Sequence, residues 1–452
     1  MPSPAHATAA SGPGDRPRGD VSPGDPSPGV VSLGPVTFAD VAVVGAGPGG
    51  AAAAAHLAAR GRDVVVLDKD RFPRDKVCGD GLTPRVIREL LDLGLVDEAH
   101  GRAEGFAVQR GLRIHGGSVQ MELPWPELDD WPAWGGTATR RVFDATIART
   151  AQRAGALLAE GHAVTGPLWR DGSQTRVAGV AWRDDEGRTG EVRAPIVIAA
   201  DGAGGPMGKH LGVARRTERP MAVGARAYYR SSRSDDPWIS SFLDLTDADG
   251  QLLSGYGWVF PLDDGTINVG LGLLSTSQEF GSVSYRRLLD SWAGGMAGTW
   301  ETTPDNRVGS IKTGPIPMGF NKTPLHQRGV LLVGDAGGMV NPMNGEGISY
   351  AMEAAQLAAQ VADRALLTRR TSDLDLYDRA LRERIGGYYT LGRIFAELVG
   401  DRRVMQICTT YGMPYRPLMR LVFKMMAHLT DERPADVKDV ILNSLQRLAP
   451  AA

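Results

Sequence analysis

The chain has 452 residues, 42% of them hydrophobic and 23% charged, which is the composition of an ordinary globular protein. At roughly 100–200 residues per domain, this length predicts two or three domains. Its formal net charge of −2 gives no electrostatic support for binding a polyanion, so we expect no nucleic-acid partner. The two cysteines, Cys78 and Cys408, are too few for a disulfide framework and fit a reducing compartment. The histidine spacings are not those of metal ligands, so we expect no metal ion.

The first segment of the chain is rich in proline, glycine and serine and shows no apolar periodicity. Residues 1–36 are therefore predicted to be a disordered tail. The segment lacks the basic-then-apolar order of a signal peptide. The longest uncharged run, residues 41–59, approaches the length of a membrane span, but glycines and a proline interrupt its middle. The sequence therefore predicts no transmembrane helix and a cytoplasmic location.

After the tail, short apolar runs alternate with helical segments. Residues 41–44 and 64–67 are predicted strands, joined by a glycine-rich turn and a helix over residues 51–60. Further strands are predicted at 196–200 and 330–333, antiparallel sheet at 251–273, and a long helix from 348 to about 367. The rest of the chain is predicted to be mostly helical.

The first turn has a dinucleotide-binding pattern. Its G-x-G-x-x-G hexapeptide is Gly45, Ala46, Gly47, Pro48, Gly49 and Gly50. Gly45 permits the tight turn, Gly47 lets the backbone approach a pyrophosphate, and Gly50 lets helix and strand pack closely. Asp68 ends the next strand, where a carboxylate can accept both hydroxyls of an adenosine ribose. The strand, turn, helix and acid together predict a dinucleotide site.

Two later motifs extend this pattern. Asp201-Gly202 follows the mid-chain strand and Gly334-Asp335 follows the late strand. With the glycine turn, they resemble the p-hydroxybenzoate-hydroxylase-type FAD flavoproteins. The resemblance implies an α/β fold: a p-hydroxybenzoate-hydroxylase-like, Rossmann-type FAD-binding domain, an inserted antiparallel-sheet substrate domain and a helical C-terminal region. In that family the late aspartate, here Asp335, bonds the ribityl chain of FAD.

Three longer segments, residues 71–82, 255–261 and 341–348, resemble the signatures of the geranylgeranyl reductase family. Within that family the chain resembles the menaquinone reductases, and the similarity covers about residues 39–430. Arg140 and Val164 fall where the family contacts the adenine half of FAD. The other FAD-binding residues implied by the resemblance are Cys78, Gly79, Gly81, Asp201, Gly202, Gly334, Asp335, Gly345, Gly347 and Ile348.

The resemblance also implies how the domains divide the chain. We expect residues 37–105, 136–210 and 307–367 in a discontinuous FAD-binding domain, 106–135 and 211–306 in the substrate domain, and 368–452 in the helical region.

The implied reaction is FAD-dependent saturation of a double bond in the isoprenoid tail of menaquinone, by a hydride and a proton. Such an alkene has no charged handle, so the protein must supply an apolar pocket, accurate placement and a proton source. Tyr256, Trp258 and Phe260 alternate, so on a strand they share one face. That face is either a wall for a prenyl chain or an ordinary core ladder. Cys78 is either a proton donor or a packing residue beside the flavin.

A quinone substrate lives in the bilayer, so we expect peripheral contact with the inner face of the cell membrane through residues 402–430. This segment contains no Asp or Glu, and its basic residues are Arg402, Arg403, Arg416, Arg420 and Lys424. Its apolar residues at helical spacing are Leu418, Leu421, Val422, Met425 and Leu429. A basic amphipathic helix of this kind either lies on an anionic membrane or packs on the protein with a solvated edge.

Other functions stay open at this point. The substrate is alternatively geranylgeranyl diphosphate or another prenyl lipid, although the substrate domain shows no clear basic cluster for a diphosphate. A flavin monooxygenase or halogenase of the same fold is a second alternative, but residues 255–261 differ from the W-x-W-x-I-P motif of tryptophan halogenases. A non-catalytic flavoprotein is a third alternative. The electron donor is not identified by the sequence.

Overall fold

The computed structural model describes residues 33–96, 105–172, 174–247, 250–431 and 437–450. Most of the predicted tail, residues 1–32, lies outside this range. The last residues of that segment are structured, because Leu33 is buried and the first strand begins at Val36. The described structure therefore includes the last residues of the predicted tail.

The strands, in chain order, are β1 (Val36–Phe38), β2 (Val41–Val44), β3 (Val64–Asp68), β4 (Gly81–Leu82), β5 (Ala107–Gln109), β6 (Gly111–Gly116), β7 (Val119–Pro124), β8 (Gly135–Thr137), β9 (Leu157–Glu160), β10 (His162–Trp169), β11 (Val177–Asp184), β12 (Thr189–Arg193), β13 (Ile196–Ala199), β14 (Met221–Arg230), β15 (Trp238–Phe242), β16 (Gly255–Pro261), β17 (Thr266–Leu274), β18 (Arg307–Pro317), β19 (His326–Gln327) and β20 (Val330–Leu332). The α-helices are α1 (Pro48–Ala58), α2 (Pro84–Asp92), α3 (Arg140–Arg153), α4 (Pro206–His210), α5 (Tyr285–Gly294), α6 (Ala297–Trp300), α7 (Ile348–Thr368), α8 (Leu376–Leu381), α9 (Gly387–Gly400), α10 (Arg402–Ile407), α11 (Arg416–Met426) and α12 (Val437–Leu448).

A six-stranded sheet in the order β19-β20-β13-β2-β3-β9 forms the centre of the predicted FAD-binding domain. All its neighbouring strands are parallel except the pair β19–β20. Strands β2, β3, β13 and β20 are fully buried, which is why they read as continuous Val- and Ile-rich runs. Because parallel strands end at the same edge of a sheet, the motifs that follow these four strands meet there.

Helix α1 begins at Pro48, three residues before its predicted start, because proline is preorganised for the first helical turn. The helix is almost entirely alanine and glycine, and it packs closely between α3 and α7. Its small side chains let α7 lie directly above the glycine turn.

A seven-stranded sheet in the order β18-β14-β17-β16-β15-β6-β7 lies at the centre of the predicted substrate domain. The predicted antiparallel stretch is confirmed, since β16 and β17 pair with Trp258 opposite Gly270. Strand β18 pairs with β14 in this sheet, so the assignment of residues 307–317 to the FAD-binding domain was wrong. The reason is that β18 is one long edge strand, and the chain returns to the FAD-binding domain only after Pro317.

Two smaller sheets complete the α/β architecture. Strands β1, β12, β11 and β10 form a four-stranded sheet beside the central one, and β4, β8 and β5 form a three-stranded sheet. The strand pair β4–β8 ties the segment around Cys78 to the start of the α3 region.

The C-terminal region is helical, and it packs against both domains. In α11, Met419 and Phe423 are buried beneath the helix, and the ring of Phe423 lies 5.2 Å from that of Trp125. Within the described ranges, none of the helices combines the length and hydropathy that crossing a bilayer requires.

Candidate active site

Three glycines of the turn between β2 and α1 leave no room for a side chain, whereas a Cβ on Gly47 would lie 3.6 Å from Arg74. Gly45 has a positive φ of 92°, and a Cβ there would lie 2.5 Å from the carbonyl oxygen of Ala200. A Cβ on Gly50 would lie 1.8 Å from the carbonyl oxygen of Gly45, and one on Gly49 would lie 2.7 Å from Val333. Among the described residues, no side chain caps the N-terminus of α1. This bare, positively polarised helix start fits the pyrophosphate of FAD.

Asp68 holds the turn in place. Its carboxylate accepts a 2.7 Å hydrogen bond from the amide of Ala46 and a 2.9 Å bond from that of Asp70. Each carboxylate oxygen keeps a second lone pair, so Asp68 can still accept a ribose hydroxyl. The role predicted for Asp68 therefore remains compatible with its position.

Arg140 lies in a buried cluster of charged side chains. Its buried guanidinium forms two 2.6 Å hydrogen bonds to Asp144, which also accepts a 2.6 Å bond from Arg74. Burial raises the pKa of Cys78, and the charge of Arg140 opposes part of this rise. Arg140 thus connects α3 with the Cys78 segment, and its contact with the adenine half of FAD stays a prediction. Val164, on β10, is partly buried against apolar residues that lie between the central sheet and the four-stranded sheet.

The two aspartate motifs lie at the same sheet edge. The carboxylate of Asp335 bonds Lys76 at 2.8 Å. Burial raises the pKa of Asp335, but the charges of Lys76 and Arg140 outweigh burial and bring this pKa below its usual value. One oxygen of Asp201 accepts a bond from the amide of Met207 at 2.9 Å, and its other oxygen is buried without a hydrogen-bond partner among the described residues. An ionised Asp335 and an unsatisfied Asp201 are both suited to accept hydrogen bonds from a polar cofactor.

The loop before α7 faces the same region. Gly345 has a φ of 78°, and a Cβ there would lie 3.4 Å from the hydroxyl of Tyr256. Gly347 precedes Ile348, the first residue of α7, and a Cβ on Gly347 would lie 3.9 Å from an oxygen of Asp335. The N-terminus of α7 therefore opens toward the edge that carries the phosphate turn and Asp335.

Tyr256, Trp258 and Phe260 share one face of β16, as predicted. The centroid of the Trp258 ring lies 5.9 Å from that of Tyr256 and 6.2 Å from that of Phe260. The Tyr256 hydroxyl donates to the carbonyl oxygen of Asn344 at 2.7 Å, so this row begins at the loop before α7. At its other end, the ring of Phe260 would touch a Cβ on Gly79 or Gly81 at 3.0 Å. The aromatic row therefore spans the gap between the two loops predicted to contact the flavin.

Trp258 is the most buried member of the row, with 6% of its surface exposed. Its indole N–H donates to Asn268 at 2.9 Å. The Asn268 amide in turn donates to the carbonyl oxygen of Cys78 at 2.9 Å and to the carboxylate of Asp80 at 2.8 Å. Trp258 thus forms part of the apolar face and also holds the Asn268 amide that bonds Cys78 and Asp80.

Cys78 is a partly buried free thiol, and Cys408 is an exposed one. Burial raises the pKa of the Cys78 thiol, and the nearby Asp80 adds to this rise. Sequence reasoning missed Asp80, Tyr228 and Asn268 as members of this site. For Asp80 the local signal was its position as an acidic residue between two glycines. Tyr228 and Asn268 gave no local signal, because they lie 148 and 188 residues after Asp80 in the chain.

The segment predicted to touch the membrane, residues 402–430, contains both buried and exposed members of the predicted set. Lys424 is buried and pairs with Asp439 at 2.6 Å, so its assignment to an exposed basic edge was wrong. Leu429 is buried as well. Arg403, Arg416 and Arg420 are exposed.

Known proteins share both the sequence and the fold of this chain. The family model of the FAD binding domain matches residues 38–271. The menaquinone reductase of Mycobacterium tuberculosis H37Rv is 37% identical over 399 residues, covering 88% of this chain and 93% of the relative. A digeranylgeranylglycerophospholipid reductase of Methanopyrus kandleri is 30% identical over 377 residues, covering 81% of this chain and 92% of the relative.

Solved structures agree on the fold. A geranylgeranyl bacteriochlorophyll reductase-like protein of Thermoplasma acidophilum matches with a TM-score of 0.70 at 23% identity, covering 91% of this chain and all of the other. The myxobacterial halogenase CndH matches with a TM-score of 0.66 at 23% identity, covering 91% and 96%. The halogenase likeness concerns the fold alone. The sequence relatives and the phosphate turn together show that this chain is an FAD-dependent oxidoreductase of the geranylgeranyl reductase family, the family that includes the mycobacterial menaquinone reductases.

Proposed function

We propose that this protein saturates a double bond in the isoprenoid tail of menaquinone. The similarity to menaquinone reductases over most of the chain supports this substrate class. The observation that carries the proposal is the aromatic row of Tyr256, Trp258 and Phe260, which spans the two loops at the carboxyl edge of the central sheet. Reduced FAD, when bound there, supplies the hydride.

The residues of this chain supply the rest of the reaction. The aromatic row gives an apolar surface along which a prenyl chain can lie, and it keeps water from the reacting carbons. Cys78, which directly precedes the Gly79 position faced by the Phe260 ring, is the proposed proton donor. The long tail and the absence of charge near the double bond make placement the main task of the protein.

The proposal can be tested with purified, FAD-loaded protein under anaerobic conditions, with dithionite as an electron source that does not depend on the natural donor. Menaquinone and a geranylgeranyl lipid are offered in separate reactions, and the products are analysed by mass spectrometry. We expect menaquinone to gain two hydrogens in its tail. A product that gains oxygen in air would identify a monooxygenase instead, and reduction of the geranylgeranyl lipid alone would identify the other substrate class of the family.

We predict that Trp258→Ala lowers turnover per bound flavin by about ten- to a hundredfold, because loss of the central ring leaves the prenyl chain loosely placed. The matched control is Trp300→Ala, since Trp300 is also buried, with 3% of its surface exposed, but packs in the hydrophobic core that contains Val259, on the opposite face of β16. This control should lose stability without losing turnover per bound flavin. If both variants lose only stability, Trp258 is a core residue and not part of the pocket.

We also propose that the C-terminal helices contact the membrane surface. Four large residues from the end of α10 to the first turn of α11 are at least 40% exposed: Ile407, Tyr411, Tyr415 and Leu418. The exposed Arg403, Arg416 and Arg420 lie on the same stretch of chain. Large apolar side chains flanked by arginines are suited to the interface of an anionic bilayer.

The membrane contact predicts the behaviour of two variants. Arg416→Gln with Arg420→Gln should weaken binding to phosphatidylglycerol vesicles by about tenfold or more, since each charge near an anionic surface contributes about 1 kcal/mol. Leu367→Ser is the control, because Leu367 is 68% exposed at the end of α7, outside the proposed contact. Sedimentation with vesicles at low salt measures both. Equal sedimentation of the double variant and the parent protein would contradict this contact.

A further inference from the structure

The carboxyl end of α11 is attached to the candidate site by side chains. The last turn of a helix leaves backbone carbonyls without an amide partner in the helix itself. The carbonyl oxygen of Met426, the last residue of α11, accepts hydrogen bonds from the Tyr388 hydroxyl at 3.0 Å and from the Asn344 side-chain amide at 2.9 Å. The side-chain amide of Asn341 donates to the same oxygen at 3.3 Å. Two of these three donors belong to the loop before α7, so this loop caps the end of α11.

Asn344 joins three segments of the chain. Its Oδ1 atom accepts a hydrogen bond from the backbone amide of Glu346 at 2.9 Å, which closes the loop before α7 on itself. Its Nδ2 atom donates to Met426 of α11, and its backbone carbonyl accepts the Tyr256 hydroxyl at 2.7 Å. A shift of the end of α11 would therefore displace the acceptor that fixes the first ring of the aromatic row.

The orientation of Tyr256 depends on this acceptor. Among the described residues, the Asn344 carbonyl is the one hydrogen-bond partner of the Tyr256 hydroxyl. A tyrosine ring can turn about its side-chain torsions, and one hydrogen bond at its tip selects one position. The position of the loop therefore sets the position of the ring.

Other contacts already hold α11 on the protein. Met419 and Phe423 are buried beneath the helix, and Lys424 pairs with Asp439 at 2.6 Å. The hydrogen bonds at the end of α11 add something different, since they fix where the loop before α7 lies relative to the helix.

We propose that Asn344 is a positioning residue that couples α11 to Tyr256 and thereby aligns the aromatic row. The 11 residues of α11 span about 16 Å. The first half of the helix carries Arg416 and Arg420 of the proposed membrane contact, so one rigid element connects that surface with the site. The benefit to catalysis rests on the proposed reduction of a prenyl chain, but the link between helix and loop does not depend on the substrate.

The link can be measured in the FAD-loaded protein without any turnover. At neutral pH, Asn344→Asp keeps an acceptor for the Glu346 amide but replaces the donor to Met426 with an oxygen that repels its carbonyl. Amide hydrogen exchange, followed by mass spectrometry, should rise by about three- to tenfold in two segments, residues 341–347 and 423–429. This is the effect expected when a hydrogen bond that both segments share is lost.

Asn443→Asp is the matched control for this measurement. Asn443 is also partly buried, and its Nδ2 atom also donates to a backbone carbonyl at 2.9 Å, that of Asp431. This variant should leave exchange in residues 341–347 at the parent level. Parent-level exchange of that loop in Asn344→Asp, or an equal rise in both variants, would overturn the link, whether or not the protein reduces prenyl chains.

A second pair of variants decides the matter if Asn344→Asp does not fold. Tyr388→Phe keeps the ring but removes another donor to the Met426 carbonyl, so exchange should rise in the same two segments. Tyr377→Phe is its control, because Tyr377 is also a buried tyrosine but donates to the carbonyl oxygen of Leu332 in the central sheet, at 2.8 Å. Identical exchange of residues 341–347 and 423–429 in these two variants would contradict the link.

A double-mutant cycle tests the step from Asn344 to the aromatic row. We expect Asn344→Asp to slow single-turnover transfer to menaquinone by about three- to tenfold, and to have little further effect in a Tyr256→Phe background, where the hydroxyl is absent. Equal slowing in both backgrounds would overturn the positioning role even if hydrogen exchange supports the link. Failure of the parent protein to reduce menaquinone would instead overturn the proposed function, and the exchange data would still decide whether the link exists.

Discussion

Gly50→Ala is expected to abolish stable FAD binding. The new Cβ would lie 1.8 Å from the carbonyl oxygen of Gly45, and that atom belongs to the backbone of the turn itself. Helix α1 must then move away from β2, which displaces the amides that face the pyrophosphate. Overpacking of this kind costs about 1–3 kcal/mol in stability and misplaces the binding groups as well. The ratio of flavin to protein absorbance after gel filtration, together with FAD released on denaturation, measures the loss.

Gly294→Ala is the control for this experiment. Gly294 is the last residue of α5, and a Cβ there meets nothing within 4 Å. Alanine is the better helix former, so this variant should keep its FAD and its stability. Full retention of FAD by Gly50→Ala, at the parent affinity, would show that the turn is not the pyrophosphate site.

Local patterns predicted the FAD-binding domain well because its determinants lie close together in the sequence. The strand at residues 41–44, the glycine turn and the acid at the end of β3 all fall within one β-α-β unit. The order of the two later aspartate motifs then placed them on neighbouring strands of one parallel sheet. The α/β fold and the FAD cofactor were therefore predictable from residues of known local function.

Features that depend on distant partners were not predictable. The amphipathic period of residues 418–429 predicted a helix, and α11 forms over Arg416–Met426, so Leu429 lies beyond its end. The burial of Lys424 depends on Asp439 in another helix. The network of Asp80 depends on Tyr228 and Asn268, which the sheet of the substrate domain carries to the Cys78 turn. The spacing of apolar residues along one segment does not reveal such contacts, because they depend on how distant segments pack together.

Cys78→Ala is expected to slow reduction of the prenyl tail by about 10²–10⁴-fold, the usual contribution of a general acid. The variant should keep its FAD, since the phosphate turn and Asp335 belong to other segments of the sheet edge. Its flavin should still be reduced by light, because storing electrons on the flavin requires no thiol. The defect should therefore appear in single-turnover transfer from the reduced protein to menaquinone, followed by the return of flavin absorbance.

Cys78→Ser separates acidity from packing. A hydroxyl is close in size to the thiol but is a far weaker acid, so this variant keeps the contacts and loses most of the proton donation. If Cys78 is the donor, the serine variant should be nearly as slow as the alanine variant. If the serine variant keeps the parent rate while alanine is slow, the side chain acts by filling space beside the aromatic row. If both variants stay within a few-fold of the parent, the proton comes from another group. Asp80 then becomes the next candidate to replace, because one of its carboxyl oxygens is buried with no hydrogen-bond partner in the part of the chain that the structure describes.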